Sequence, residues 1–259
     1  MGLIPAAGRA SRLGALTCSK EMLAVPTGTL AASPRPVAQY LVEQMAGAGC
    51  DRLFFVLRSG KWDIADYFGD GSRFGLRIGY AMMGAPWGPP FTIAQALPFA
   101  ADATIITGFP DILIRPVDAA ARIIDRLRTS TATVVLATFP CSAHDGCDLA
   151  VTSADGSILK IVAKEDRPIW SEASRTWLLA AWKPAFSRFF LQVVNRLADQ
   201  AAAMAPGERA EWPMGSVLAA ALDAGIRIDS VHFPDGRFLD IGTPERLARA
   251  GEFCSVRSD

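Results

Sequence analysis

Two histidines in 259 residues leave little scope for imidazole chemistry. His144 and His232 stand far apart, and no Gly-x-Ser-x-Gly elbow accompanies them, so nucleophilic triad logic is excluded. An excess of either charge is also missing. Lys plus Arg number 26 and Asp plus Glu number 26, for a formal net charge of zero. A nucleic-acid binder would normally show a basic surplus or stripe. No apolar run reaches membrane-spanning length, and no signal peptide precedes the first apolar strand, so a soluble, cytoplasmic protein is expected. Gly2 follows Met1, but position 6 is Ala where myristoylation needs Ser or Thr. The five cysteines are scattered and odd in number, which suits a reducing compartment. Cys141, His144 and Cys147 lie close together, yet no fourth ligand has recognisable zinc spacing, and metal binding is not expected there.

What is present is a strand–helix rhythm. Strands are expected over Gly2–Ala6, Arg52–Leu57, Leu76–Tyr80, Ala103–Thr107 and Thr133–Phe139. Helices are expected over Val37–Ala48, Lys61–Phe68, Thr92–Ala101 and Val117–Arg128. This alternation predicts an α/β fold, with a Rossmann-like, mainly parallel sheet covered by helices on both faces. The second half is more antiparallel. Leu149–Ser153 and Ile158–Lys164 flank an Ala-Asp-Gly-Ser turn and read as a hairpin. Thr176–Trp182, Arg227–Phe233 and Arg237–Ile241 read as strands, with helices over Lys183–Gln200 and Met214–Ala224. Thr243-Pro244-Glu245 opens a last helix, and Ala201 to Trp212 reads as a mobile loop. The expectation is a single domain, 1–259, with a nucleotide-binding half over 1–140 and an acceptor-binding half over 141–259.

The densest signal follows the first strand. Ala6, Ala7, Gly8, Arg9, Ala10 and Ser11 form a loop of small residues, and Arg12 and Lys20 come shortly after. Small side chains let backbone N–H groups approach phosphate oxygens, and the cations offset the charge. Ligands of open α/β sheets bind beyond the carboxyl ends of the strands. Gly108-Phe109-Pro110-Asp111 occupies such an end, and a lone acid there suits Mg²⁺, which takes one or two carboxylates plus phosphate oxygens. Ser59-Gly60-Lys61-Trp62 ends like a Walker loop but lacks its upstream glycine and its Ser/Thr, so it is set aside. Trp170, Trp177 and Trp182 cluster in the second half. They fit core and rim packing, or an aromatic wall for a sugar or a choline-like cation.

The segment from Gly8 through Arg12 to Lys20-Glu21-Met22-Leu23 resembles the signature of the sugar-1-phosphate nucleotidylyltransferases, nearest to their glucose-1-phosphate uridylyl- and thymidylyltransferase branches. Phe238-Leu239-Asp240-Ile241-Gly242-Thr243-Pro244 resembles the family segment that bears the second metal-binding aspartate. The resemblance implies Mg²⁺ held by Asp111 and Asp240, and phosphates handled by Arg12 and Lys20. It implies the acceptor phosphate on Lys164, and a nucleotide resting on residues 6 to 11 with Thr92 and Gln95. The partners implied are an NTP and a sugar 1-phosphate, with no nucleic acid or membrane, and a homo-oligomer by analogy of fold.

Several positions depart from the family pattern. Ala10 replaces a glycine, Ser11 a threonine, and Thr92 the glycine of Gly-Leu-Ala-Gln-Ala. Met82 or Met83 stands where relatives read the base with glutamine, and Ala163 stands where they bind sugar hydroxyls with glutamate. The expected reaction joins an NTP and a sugar 1-phosphate into an NDP-sugar and pyrophosphate. Three rivals stay open. They are the same chemistry on a non-sugar phosphate such as phosphocholine, a glycosyltransferase of related fold, and a non-catalytic nucleotide-sugar-binding homologue.

Overall fold

The computed structural model describes residues 1–259 except 10, 27–32, 85–86, 101, 164–170, 172–173, 205–210 and 256–259. In chain order the elements are β1 (Gly2–Pro5), β2 (Ala24–Val25), β3 (Arg35–Pro36), α1 (Val37–Gly47), β4 (Arg52–Leu57), α2 (Trp62–Phe68) and β5 (Arg77–Met82). Next come α3 (Pro89–Ala94), β6 (Ile105–Gly108), β7 (Ile112–Arg115), α4 (Ala119–Thr129), β8 (Val134–Pro140), β9 (Leu149–Thr152) and β10 (Ile158–Val162). The chain closes with β11 (Arg175–Trp182), α5 (Pro184–Ala203), α6 (Gly215–Asp223), β12 (Ile228–His232), β13 (Arg237–Asp240), α7 (Pro244–Ala248) and α8 (Ala250–Ser255).

The central sheet has seven strands in the order β12-β8-β11-β6-β1-β4-β5. Pairings of β1 with β4 and β6, of β4 with β5 and of β8 with β12 are parallel. Strand β11 runs antiparallel to both β6 and β8. It therefore wedges a strand of the second half into the middle of a parallel sheet. Strands β1, β4 and β8 are continuous apolar runs because both faces are covered, the pattern expected of buried parallel strands. One face packs on α3, α5 and α6 through Leu3, Val56, Trp182, Phe186 and Leu218. The other packs on α1, α2 and α4 through Ile4, Leu41, Phe55, Ile64 and Ile123. A smaller core under β2, β7, β13 and α8 gathers Val25, Leu113, Leu239 and Ile241.

Two local differences from the sequence reading have physical causes, and the core reading of Trp182 is met. The helix expected over Thr92–Ala101 begins at Pro89 and ends at Ala94, with a single 3₁₀ turn over Leu97–Phe99. Pro89 and Pro90 set a helical φ at the first turn, and Pro98 cannot donate to a continuing helix. Strand β7, only four residues long, was not anticipated. Its partner β13 lies more than a hundred residues away, so local pattern carries no trace of the pairing. Trp182 is a core residue: it is fully buried, stacks on Phe190 at 5.8 Å between ring centroids, and donates Nε1 to Ser187 Oγ at 2.9 Å. Among the described residues no helix is long and apolar enough to cross a membrane.

Candidate active site

The site forms where β1, β6 and the short β7–β13 ribbon end together. In that ribbon Asp240 is paired with Ile112, and Ile241 N–H donates to the Asp111 carbonyl at 3.0 Å. The ribbon therefore brings together two acids that stand 129 positions apart in the chain. At the base of Asp111, Gly108 lies so close to Leu41 and Leu179 that a Cβ there would come within 2.5 Å of a Leu179 methyl.

Both carboxylates line one cavity of about 490 Å³, together with Arg12 and Lys20. Lys20 Nζ lies 2.6 Å from Asp111 Oδ2, and both side chains are largely buried. Burial alone would lower the Lys20 pKa. Asp111, Glu21 and Asp240 outweigh it, and the ammonium stands above the ordinary lysine value. Burial likewise opposes the Asp111 charge, yet Lys20 and then Lys61 hold its carboxyl below the ordinary aspartate range. Asp240 takes the Gly242 N–H at 2.7 Å and faces two guanidiniums, Arg246 at 3.6 Å and Arg12 at 3.9 Å. Arg12 is two-thirds exposed, so its head is available to a ligand. Two carboxylates beside cations form an oxygen-donor pair that suits Mg²⁺ completed by phosphate oxygens and water. Among the described residues no set of three or more acidic, His or Cys side chains gathers as a self-sufficient metal site.

The rest of the cavity faces the second half of the chain. Phe109, Trp177, Trp212 and Phe238 supply aromatic surface, and Asp145, Asp148 and Glu211 supply acids. Arg246 Nη2 donates to the His144 carbonyl at 2.5 Å and so ties the 143–148 loop to Asp240. Thr243 caps α7 by accepting the Arg246 N–H, which fixes the start of the helix that presents Arg246.

The other predicted residues are distributed as follows. Ala6 and Ala7 are buried just past β1, and the Ala6 N–H donates to the Val56 carbonyl. Gly8 and Arg9 line a second cavity of about 360 Å³, which shares Lys20 with the larger one. Ser11 opens the 3₁₀ turn Ser11–Leu13. Thr92 is buried in α3, with its hydroxyl on Met83 Sδ at 3.1 Å and the Gly88 carbonyl at 3.2 Å. Gln95 is exposed at the end of that helix, and neither Thr92 nor Gln95 lines the two cavities. Lys164, Ala10 and Trp170 lie outside the described residues.

Sequence reasoning missed Arg246 and the Lys61–Glu21 pair. Lys61 Nζ contacts both Glu21 oxygens at 2.7 Å, and both side chains are buried. Burial pushes Glu21 up and Lys61 down, and each group's charge partly offsets the shift of the other. The signal for Lys61 was the Gly60-Lys61 step just after β4, a strand end at the same edge of the sheet.

Residues 1–255 match the family model described as nucleotidyl transferase. The chain is 23% identical over 252 residues to the low-salt glycan biosynthesis nucleotidyltransferase Agl11 of Haloferax volcanii. That match covers 97% of this chain, which spans 65% of the relative's length. The fold is similar to that of a protein from Bacillus anthracis assigned as a glucose-1-phosphate thymidylyltransferase and crystallised with sucrose. There the TM-score is 0.77 at 16% identity, over 100% of this chain and 96% of the other. It is also similar to a UDP-glucose pyrophosphorylase in complex with UDP-glucose, with a TM-score of 0.74 at 17% identity over 97% of both chains. By the match of the family model over nearly its whole length, the chain belongs to the nucleotidyl transferase family.

Proposed function

We propose that the chain transfers a nucleotidyl group from an NTP to a sugar 1-phosphate, with Mg²⁺ as cofactor. The observation that carries this reading is the convergence of Asp111, Asp240, Lys20 and Arg12 on one cavity at the carboxyl edge of the sheet. In the reaction, an oxygen of the acceptor phosphate attacks the α-phosphorus. The bond from that phosphorus to the bridging oxygen breaks, and pyrophosphate leaves in line. Such chemistry asks the protein mainly to hold phosphates together and to stabilise charge. Asp111 and Asp240 would hold the metal, which would supply positive charge beside the α-phosphate. Lys20, already on Asp111, brings its ammonium to the α-phosphate and the departing oxygen. Arg12, exposed at the rim, grips the β- and γ-phosphates. The loop of residues 6 to 11 offers backbone N–H groups along the nucleotide. Lys164, two positions after β10 in the sequence, is the proposed contact to the acceptor phosphate.

A second acceptor class is favoured by the aromatic and acidic lining of the larger cavity. Trp177 and Trp212 with Asp145 and Glu211 would suit a phosphate ester carrying a quaternary or protonated amine. Phosphocholine therefore belongs in any acceptor screen.

Arg12→Ala and Asp240→Asn should each lower kcat/KM by about 100-fold or more, the scale of a lost charge-stabilising donor. The melting temperature of Arg12→Ala should stay near wild type because that side chain is exposed, and Asp240→Asn keeps an oxygen for the Gly242 N–H. Turnover within a few-fold of wild type in either variant would overturn its assigned role.

A further inference from the structure

Asp240 ends β13, and the chain turns through Ile241-Gly242-Thr243 into α7. Thr243 caps that helix and Pro244 opens it, so the first turn of α7 brings Arg246 back toward Asp240. Arg246 Nη1 lies 3.6 Å from Asp240 Oδ2, and the same oxygen has Arg12 Nη2 at 3.9 Å. The two guanidiniums are not equivalent. Arg12 is 66% exposed, whereas the Arg246 side chain is 23% exposed. Arg12 is thus free to turn to a phosphate, and Arg246 then stays beside Asp240.

Arg246 has a second commitment. Its Nη2 donates to the His144 carbonyl at 2.5 Å, across 102 positions of chain. A guanidinium is a rigid fork that holds two acceptors at once, which a lysine ammonium on a flexible stem does poorly. The carbonyl belongs to a loop with its own internal bracing. The Ser142 N–H and hydroxyl both donate to Asp145 Oδ2, at 2.7 and 2.9 Å, in a capping box over the Ala143–Asp145 turn. At the far end of the loop, Asp148 is seated on the start of α6, where a Cβ on Gly215 would come within 2.6 Å of its Oδ2. Asp145, Gly146, Cys147 and Asp148 line the larger cavity on the side of the second half. One side chain therefore reaches from Asp240 to the wall of the acceptor face.

We propose that Arg246 is a positioning residue for the acceptor: its fork holds the 143–148 loop at a fixed place relative to Asp240. The inference rests on the nucleotidyl-transfer reading above. Arg246 stands just past the segment that resembles the family's, so the motif itself gives it no role. A wall set against the Asp240 carboxylate fixes where the acceptor phosphate lies relative to the α-phosphorus. Small errors in such placement are costly in rate.

The test compares the full-length wild type with R246Q, R246K and D240N. Hydrogen exchange without ligands reads the tether by itself. Exchange over residues 141–148 should quicken about tenfold in R246Q and in D240N, while the central strands keep their protection. The second readout is pyrophosphate release at saturating NTP and Mg²⁺, against glucose 1-phosphate and against phosphocholine. In R246Q the acceptor KM should rise about tenfold, with the NTP KM within about twofold of wild type. R246K, which keeps the charge but not the fork, should recover both readouts in part. Wild-type exchange over 141–148 in R246Q, or acceptor and NTP KM values that rise together, would overturn the proposal. An unchanged acceptor KM in R246Q would overturn it too and leave the transfer reading standing. A wild type that releases pyrophosphate with neither acceptor, while R246Q still loosens the loop, would remove the acceptor role together with the transfer reading.

Discussion

Gly242 sits between the two charges on which the reaction depends. A Cβ there would come within 2.8 Å of Asp240 Oδ1 and 2.9 Å of Arg12 Nη2. Arg12 is long and exposed and can swing aside. Asp240 cannot do so without losing the Gly242 N–H at 2.7 Å. Gly242→Ala should therefore weaken the metal requirement's fit more than the fold. The apparent metal constant in a turnover assay should rise several-fold while the melting temperature moves little. An unchanged metal dependence would show that the Asp240 carboxylate tolerates the displacement. At this scale the sequence was most legible where chemistry is local. The small-residue loop with Arg12 and Lys20, and the Leu-Asp-Ile-Gly-Thr-Pro segment, stand out in the sequence because each is a short contiguous motif that resembles the family's. Lys61 does not, because its meaning depends on Glu21 lying against it from about forty positions away.

Two elements add charged contacts to their apolar packing. The 3₁₀ turn Lys20–Met22 is locked to the start of α2 by the buried Glu21–Lys61 pair. Removing one partner of such a pair strands the other in a poor solvent. Lys61→Met should cost about 3–5 kcal/mol, and adding Glu21→Leu should return much of that loss. Urea unfolding of the two single variants and the double variant measures the coupling, and strict additivity would contradict it. At the far edge, Asp229 in β12 accepts Arg126 at 2.9 Å, Ser130 at 2.5 Å and Arg227 at 2.8 Å. Burial opposes its charge, but the hydrogen bonds from Ser130, Arg227 and Arg126 hold its carboxyl below the ordinary aspartate value. A depressed folded pKa contributes stability that is fully present above the unfolded value, about 3.9, and is lost as pH falls through the folded one. Asp229→Asn should therefore lower the urea midpoint at pH 7, and the gap to wild type should close as the pH falls through the depressed folded pKa. A gap that persists unchanged in acid would assign the loss to packing. Most elements were legible because their apolar runs are long. The β7 strand was not, since four residues between loops acquire their pairing only from β13.

At the scale of the whole molecule, the antiparallel strand β11 joins the two halves into one sheet, so both halves contribute to the same cavity. The parallel architecture follows from alternating apolar strands and amphipathic helices. The position of β11 between β6 and β8 does not, because strand order is a long-range property that no window of sequence encodes. What that topology produces is an acid-bearing cavity that draws residues from both halves and shares Lys20 with a smaller, cation-bearing one. The most direct measurement is pyrophosphate release with Mg²⁺ across a matrix of NTPs and phosphate acceptors, sugar 1-phosphates and phosphocholine among them, with Asp111→Ala as control. The account predicts release that requires both an NTP and one acceptor class and is lost in the variant. No release in any combination from folded protein, or release that survives Asp111→Ala, would contradict it.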